Sequence, residues 1–317
     1  MSQSGVANDG TSFNSLDAVT TQTVQVPWYE QKVSPSYRRR QVWNWVLKIL
    51  VFAAVVIVLV PLLDMLYLFA YKGLSVISIA TLTETTTGGT GLGGGGILNA
   101  ITGTLLLLAL SSAIAVPLGI FSGVYMAEFA GEHNRYASVV RFVSDVLAGV
   151  PSIVLGYVGY LLFVLYAGWG YSALAGAVTL SILMLPYILR TTELAIRRVP
   201  DSIREGAIAL GSTKTSMINR LTLKFALPGI LTGVMLAVSI SLSETAPLLY
   251  TADFSNYVPT ALLHQPVGYL TGIVWTFSQM PTTSAHNLAY IAAFVLLSLV
   301  FLVNFLARVV LKRFSKI

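Results

Sequence analysis

The chain has 317 residues, of which 55% are hydrophobic and only 10% are charged, with a net charge of +6 and no cysteine. Soluble domains carry about 25% charged residues, so this composition excludes an ordinary soluble protein, and the missing cysteine excludes disulfides and thiolate metal sites. Residues 1–45 are polar, lack a signal peptide with an apolar core and a cleavage site, and predict a flexible cytoplasmic tail. Residues 46–317 predict an all-α polytopic membrane domain.

Apolar segments follow the tail, each long enough to cross about 30 Å of hydrocarbon as a helix. A low-complexity loop rich in threonine and glycine, at 81–96, separates the first two segments, and its formal GxGxxG match at 91–96 lacks the strand–turn–helix context of a dinucleotide site. The six predicted transmembrane helices are 46–70, 97–127, 140–166, 173–195, 228–250 and 286–310.

The basic residues are distributed unevenly between the two sides of this arrangement. Eighteen of the nineteen Lys and Arg residues fall on one side, and Lys72 alone falls on the other. The positive-inside rule therefore predicts that both termini lie in the cytoplasm. The expected location is the plasma membrane, which is the inner membrane in a Gram-negative cell. Because topology accounts for the basic charge, we expect the lipid bilayer and no nucleic acid as a partner.

The segment 196–227, between the fourth and fifth spans, predicts a cytoplasmic helix–turn–helix. Asp201 is a candidate N-cap for its first helix, whose apolar stripe is Ile203, Ala207 and Leu210. Gly211 is placed to end that helix as a C′ glycine. A second amphipathic helix should then run to about Phe225, before Pro228 starts the fifth span.

Within this segment, Glu205-Gly206-Ala207, Gly211 and Leu227-Pro228-Gly229 resemble the EAA motif of ABC importer permeases with the MetI-like fold. The resemblance implies a coupling helix that docks on a separate ATPase subunit. Gly206 stands where the family usually has alanine, which loosens the helix by up to about 1 kcal/mol. The docking residues implied are Glu205, Gly206, Ala207, Leu210 and Gly211.

Further strings are similar to the PstA-type membrane subunits of phosphate importers. They are Asn99–Thr104, Leu147–Val154, Leu185–Glu193 and Glu244–Leu249. The resemblance implies a transporter subunit without enzymatic activity of its own, a heterodimer with a PstC-like permease, a PstB-like ATPase dimer and a PstS-like phosphate-binding protein. The chain contains no GxxxxGK[ST] motif. It has no histidine pair with metal-ligand spacing on a helix face, so neither a cofactor nor a metal is expected.

Glu244 lies within an apolar span, and an intramembrane carboxylate is by default a functional hypothesis. Ser241, Glu244, Thr245 and Leu248 have the spacing of one helix face. The face could line a polar path, or Glu244 could be a structural acid paired with a cation of another helix or subunit. The PstA pattern has arginine where this chain has Ile240, so the position of the anion-binding charge differs.

Arg190 is a second substrate-path candidate, with Glu193 placed to pair with it at i+3. The alternative for Arg190 is an arginine that extends toward the cytoplasmic surface from a helix end. The resemblance adds Thr104 and Asn99, which open the second span, as further candidates.

Two alternative functions stay open. A permease for another oxyanion, such as sulfate or molybdate, is disfavoured only by the strings at 151–154 and 244–249. A secondary transporter or channel that works without ATP would need no docking helix, and the 196–227 segment argues against it.

Overall fold

The computed structural model describes residues 35–87, 94–130 and 134–314, so the first 34 residues of the predicted tail and most of the glycine run lie outside the described residues. The fold is all-α, as predicted, apart from the two-residue strands β1 (Thr86–Thr87) and β2 (Gly94–Gly95), which pair antiparallel. The helices are α1 Pro35–Val76, α2 Ile79–Thr83, α3 Leu98–Glu128, α4 Arg135–Gly149, α5 Ser152–Gly159, α6 Ala173–Arg197, α7 Asp201–Ala209, α8 Lys214–Met217, α9 Leu223–Ser243, α10 Ala246–Thr251, α11 Leu270–Ser278 and α12 Thr283–Phe314.

The chain divides into two compact units, Met1–Leu63 and Asp64–Ile317. The described part of the first unit is residues 35–63 of α1, in which the Lys48 ammonium group lies 5.4 Å from the centre of the Trp45 ring. The second unit contains the helix bundle and all the candidate site residues.

In the described part of the chain, five helices are long and apolar enough to cross a membrane, and one bent pair brings the number to six if it is counted as a single span. The second and fourth spans, α3 and α6, begin and end within two residues of their predicted bounds. α1 and α12 are longer than predicted, at 42 and 32 residues.

The third span is not the single helix that the sequence predicts over 140–166. It consists of α4 and of α5, which continues into a π-helical stretch at Tyr160–Tyr166, and the two parts meet at an angle of 105°. Pro151 causes the break, because proline lacks an N–H group and forces the residue before it out of the helical region. Val150 is accordingly extended, with ψ of 131°.

The fifth span also departs from prediction. Pro228 does not restart the chain, because helix continues from Lys214 through a π-helical stretch at Ile218–Thr222 to Ser243, with Pro228 inside it. The helix instead breaks at Glu244, whose backbone is extended with ψ of 133°. The short helix α10 then carries the chain onward.

Helix α6 forms the centre of the bundle, with two-thirds of its most apolar stretch buried. Glycines of α3 let the two backbones approach closely, as small residues do between membrane helices. A Cβ atom added at Gly119 would lie 2.7 Å from Ile188, and one at Gly123 would lie 2.6 Å from Thr192. On another side of α6, a Cβ atom at Gly233 of α9 would collide with Thr191.

The predicted helix–turn is present at α7. Gly211 has φ of +82°, and its N–H group donates to the Ile208 carbonyl at 2.9 Å while Ser212 N–H donates to the Ala207 carbonyl at 3.0 Å. This pattern is a Schellman motif with Gly211 at C′. Asp201, however, is the first helical residue and not the N-cap, because Pro200 occupies the cap position.

Candidate functional site

A small cavity lies beside the break in the fifth span. Its volume is about 10 Å³, near the lower limit for one water molecule. The walls come from α3, α6, both sides of the break and the segment that leads into α11. The lining residues are Thr104, Leu107, Leu108, Leu180, Ser241, Leu242, Glu244, Leu248, Tyr269 and Thr271.

Two hydrogen bonds fix the segment around Leu270 against this break. The Leu270 N–H group donates to the Thr104 hydroxyl at 2.9 Å. The Thr271 hydroxyl donates to the Glu244 carbonyl at 2.9 Å. Because the broken helix leaves carbonyl groups without intrahelical partners, the second bond satisfies one of them.

Two further hydroxyl groups on the cavity have no hydrogen-bond partner in the described structure. They belong to Ser241 and Tyr269, whose side chains are 4% and 1% exposed. Buried polar side-chain atoms nearly always have a partner. The cavity is therefore a polar site whose bonding capacity is incompletely used.

Glu244 lines the same cavity and is partly buried. Among the described residues, no Lys or Arg forms an ion pair with it, and the residue four positions before it in the sequence is Ile240. The premise of one continuous helix face was wrong because the helix ends at Ser243. Ser241, Glu244 and Leu248 nevertheless line the cavity together, whereas Thr245 sits at the N-cap of α10 and is absent from the lining.

Asn99 lies apart from this cavity, fully buried at the start of α3. Its amide nitrogen donates to the Ser255 carbonyl at 2.7 Å, and its amide oxygen accepts from the Thr86 N–H group at 3.2 Å. Asn99 thus joins β1, α3 and the loop that follows α10.

Arg190 lies in a separate charged cluster around Glu193, which is 1% exposed. The predicted pair is present, with Arg190 Nη1 at 3.1 Å from Glu193 Oε2. Arg197 Nε lies 3.1 Å and Arg141 Nε 3.0 Å from Oε1 of the same carboxylate. Three guanidinium groups therefore surround one carboxylate, and Arg141 brings α4 to α6.

A second charged contact holds α7 to the ends of α3 and α6. Arg204 donates to the Ile196 carbonyl at 2.8 Å, and its Nη2 atom lies 3.2 Å from Oε1 of Glu128, whose side chain is 4% exposed. The Lys214 ammonium group donates to the Glu128 carbonyl at 2.7 Å and lies 4.6 Å from the centre of the Phe129 ring. These bonds connect the helix–turn–helix directly to two spans.

The side of α7 that faces away from the helix bundle is exposed to solvent. Glu205 and Gly206 are exposed, and so is Leu210 at 89%. Ala207 is instead buried against Met217 and Ile218. The predicted stripe therefore faces inward at Ala207, while Leu210 projects outward beside the Gly211 turn.

Residues 115–316 match the family described as binding-protein-dependent transport system inner membrane component. This match spans more than half of the chain. The chain belongs to that family. The break in the fifth span, the Glu193 cluster and α7 all lie inside the matched region, whereas Asn99 and Thr104 precede it.

Curated relatives align with this chain over most of its length. It is 42% identical over 255 residues to the phosphate transport system permease protein PstA 2 of Mycobacterium bovis, covering 80% of this chain and 83% of the relative. It is 38% identical to the phosphate transport system permease protein PstA of Yersinia pestis, covering 87% of this chain and 93% of the relative.

Solved structures share the fold of this inner membrane component. A bacterial alginate ABC transporter matches with a TM-score of 0.58 and 14% identity, covering 86% of this chain and 98% of the other. The MetNI methionine ABC transporter in an inward-facing conformation matches with a TM-score of 0.55 and 19% identity, covering 69% and 97%. At these identities the matches concern the fold alone.

Sequence reasoning missed several residues that the fold brings together. Arg141 is 52 residues from Glu193 along the chain, so helical spacing gives no sign of the contact. Arg197 is four residues after Glu193, and this i, i+4 spacing could have predicted its pair. Tyr269 and Thr271 follow an irregular loop and carry no periodic signal.

Proposed function

We propose that this chain is the transmembrane permease subunit of an ATP-driven phosphate importer, forming half of the translocation path. The supporting observation is its 42% and 38% identity, over most of its length, to two phosphate transport system permease proteins. ATP hydrolysis would occur on a separate subunit. The phosphate-binding protein, a related second permease and an ATPase dimer would correspond to the PstS-like, PstC-like and PstB-like partners inferred above.

The exposed surface of α7 is the proposed ATPase contact, centred on Glu205, Gly206 and Leu210. Two observations support this proposal. One side of α7 is exposed, and the opposite side is attached to the helix bundle. Because Arg204 binds α6 at the Ile196 carbonyl and faces Glu128 of α3, a displacement of α7 would be transmitted to two spans. Residues 196–227 would thereby couple ATPase movement to the path.

The proposed anion path passes the cavity at the fifth-span break. An oxyanion in a low-dielectric span needs compensating donors, and Ile240 supplies none. We propose that the central contact comes from the partner permease, from backbone N–H groups and from hydroxyls such as those of Ser241 and Thr104. Glu244 would hold a cation of the partner. Arg190, bound to Glu193 but about half exposed, would lie nearer the cytoplasmic exit.

Reconstitution tests the function. The chain would be purified with its co-expressed permease, ATPase and binding-protein partners and placed in liposomes. We expect ATP-dependent uptake of radiolabelled phosphate that excess sulfate or molybdate does not compete. Preferential uptake of sulfate or molybdate would favour the other-oxyanion permease, and phosphate uptake without ATP would favour a secondary transporter.

Orientation can be tested because the native chain has no cysteine. Cysteines introduced as Thr87→Cys and Ser255→Cys should react with an impermeant thiol reagent applied to intact cells, whereas Ser212→Cys should react only after lysis. The positive-inside distribution is the reason. Labelling of Ser212→Cys from outside would contradict the proposal that both termini are cytoplasmic.

The docking surface predicts a coupling defect. Gly211→Val should strain a backbone with φ of +82°, and Glu205→Ala should remove a carboxylate from the docking face. We expect loss of ATP-coupled uptake while the complex still assembles. Gly211→Asn is the control, since asparagine tolerates a positive φ and the Cβ position of Gly211 has open space. Normal uptake by both Gly211→Val and Glu205→Ala would refute the docking assignment.

A further inference from the structure

Three hydroxyl groups that line the cavity donate no hydrogen bond to any described residue. Ser241 and Tyr269 have no hydrogen-bond partner. The Thr104 oxygen accepts a bond from the Leu270 N–H group, which leaves its own proton available. Thr271 differs, because its hydroxyl already donates to the Glu244 carbonyl. We call Thr104, Ser241 and Tyr269 the hydroxyl site.

The Tyr269 ring is held firmly in this site. It packs with Leu107, Leu180 and Leu248 in one apolar cluster. A Cβ atom on Gly272 would lie 2.8 Å from the edge of the ring, so a glycine is needed there for the ring to fit. A tyrosine fixed in this way, with its hydroxyl buried and without a partner among the described residues, can donate a hydrogen bond to a bound ligand.

The chemistry of the site suits an oxygen that accepts hydrogen bonds. A hydroxyl donates one proton and carries no charge, so three of them offer donors without binding an anion as strongly as an arginine would. A transport site must bind well enough for entry and weakly enough for release. Three neutral donors meet both requirements in a cavity whose described lining contains no Lys or Arg.

We infer that Tyr269, together with Ser241 and Thr104, contacts the transported oxyanion through its hydroxyl group as the anion passes the fifth-span break. The inference rests on the proposed function and adds Tyr269 to the path as a substrate-contacting residue. In the conformation described here the cavity has room for about one water molecule. The inference therefore requires the walls at the break to separate during transport.

The test uses the reconstituted complex with its binding protein. Tyr269→Phe removes one oxygen and keeps the ring, so folding should be preserved. We expect the maximal rate of phosphate uptake and the phosphate transported per ATP hydrolysed to fall by about three- to tenfold, as for one lost hydrogen bond. Phosphate affinity of the binding protein should not change. Ser241→Ala should act in the same direction.

Tyr250→Phe is the matched control, because Tyr250 belongs to neighbouring α10 but is exposed and does not line the cavity. Wild-type uptake and stoichiometry in Tyr269→Phe would show that the hydroxyl binds only a structural water. A fall in unfolding temperature and uptake with an unchanged phosphate-to-ATP ratio would assign Tyr269 a packing role; either result overturns the inference. Absence of phosphate uptake in the wild-type complex would instead refute the proposed function.

Discussion

Glu193 and Glu244 are both partly or fully buried carboxylates of the membrane domain, yet their surroundings are opposite. Glu193 is 1% exposed and has three guanidinium groups within 3.1 Å. Glu244 lines a cavity that leucine and hydroxyl side chains share, and among the described residues no basic side chain forms an ion pair with it. The charge of Glu193 is thus compensated inside the chain. No described basic side chain compensates the charge of Glu244, in agreement with the proposal that a cation of the partner permease does so.

Under the proposed function, the difference predicts that Glu193 is a structural carboxylate and Glu244 a functional one. A buried ion pair contributes little net stability when intact, but removing one partner leaves an uncompensated charge. Loss of Glu193 should therefore damage the fold. Loss of the Glu244 charge removes no described ion pair, so its effect should appear in transport.

The largest effect is expected from Glu193→Ala. The variant removes the carboxylate that Arg141, Arg190 and Arg197 share. We expect the free energy of unfolding to fall by about 3 kcal/mol. This value is the lower end of the range for a broken buried ion pair, because the guanidinium groups reach solvent. Thermal unfolding of the purified complex measures it. Asp145→Ala, which removes an exposed carboxylate of α4, is the control. Equal unfolding temperatures for Glu193→Ala and the wild type would contradict the prediction that Glu193 stabilises the fold whereas Glu244 does not.

A smaller effect, confined to activity, is expected from Glu244→Gln. Uptake by the reconstituted complex should fall at least about tenfold, equivalent to about 1.4 kcal/mol, because the partner's cation is released. The unfolding temperature and phosphate capture by the binding protein should be unchanged.

Ile240→Arg sharpens this prediction, since it places a cation near the end of α9, four residues before Glu244 in the sequence. It should keep uptake in the wild-type background but not rescue Glu244→Gln. Full activity of Glu244→Gln alone would mean that Glu244 is a tolerated buried acid.

Glu128 offers an intermediate case, since its buried carboxylate faces the single guanidinium group of Arg204 at 3.2 Å. The contact is not aligned as a hydrogen bond, so we expect a coupling energy of only about 1 kcal/mol from a double-mutant cycle of Glu128→Gln and Arg204→Gln. Each single variant should also lower the phosphate transported per ATP, with Lys224→Gln, an exposed lysine, as control. Strictly additive effects on unfolding and stoichiometry would show that the two side chains act independently.

The sequence predicted the helices that are apolar and uninterrupted, such as α3 and α6, because length and hydropathy determine them. It failed where one residue changes the backbone path. Pro151 breaks the third span, and Pro228 is tolerated within a helix that carries a π-helical stretch just before it. The presence of proline alone does not reveal such a break, because Pro117 and Pro186 lie inside the continuous helices α3 and α6.

The candidate site was predictable to the extent that its contacts are local. The pair Arg190–Glu193 follows from spacing within one helix, and Gly211 follows from the end of an apolar stripe. Arg141 and Tyr269 reach their places through tertiary packing, which a single sequence does not encode in any local pattern. Ser241 and Glu244 were expected together for an incorrect reason, since the cavity unites them although their helix ends between them.

The close approach of α3 and α9 to α6 has a consequence for how the molecule can move. Gly119, Gly123 and Gly233 leave no space for even one methyl group, so these three helices cannot slide along one another by a fraction of a turn without collision. The three helices should move as one rigid body, and the breaks near Pro151 and Glu244 should accommodate its rotation. In a saturation mutagenesis experiment, alanine at these three glycines should abolish transport, whereas most apolar exchanges at neighbouring positions should preserve it. The positions that do not tolerate substitution would then mark the contacts within the rigid body.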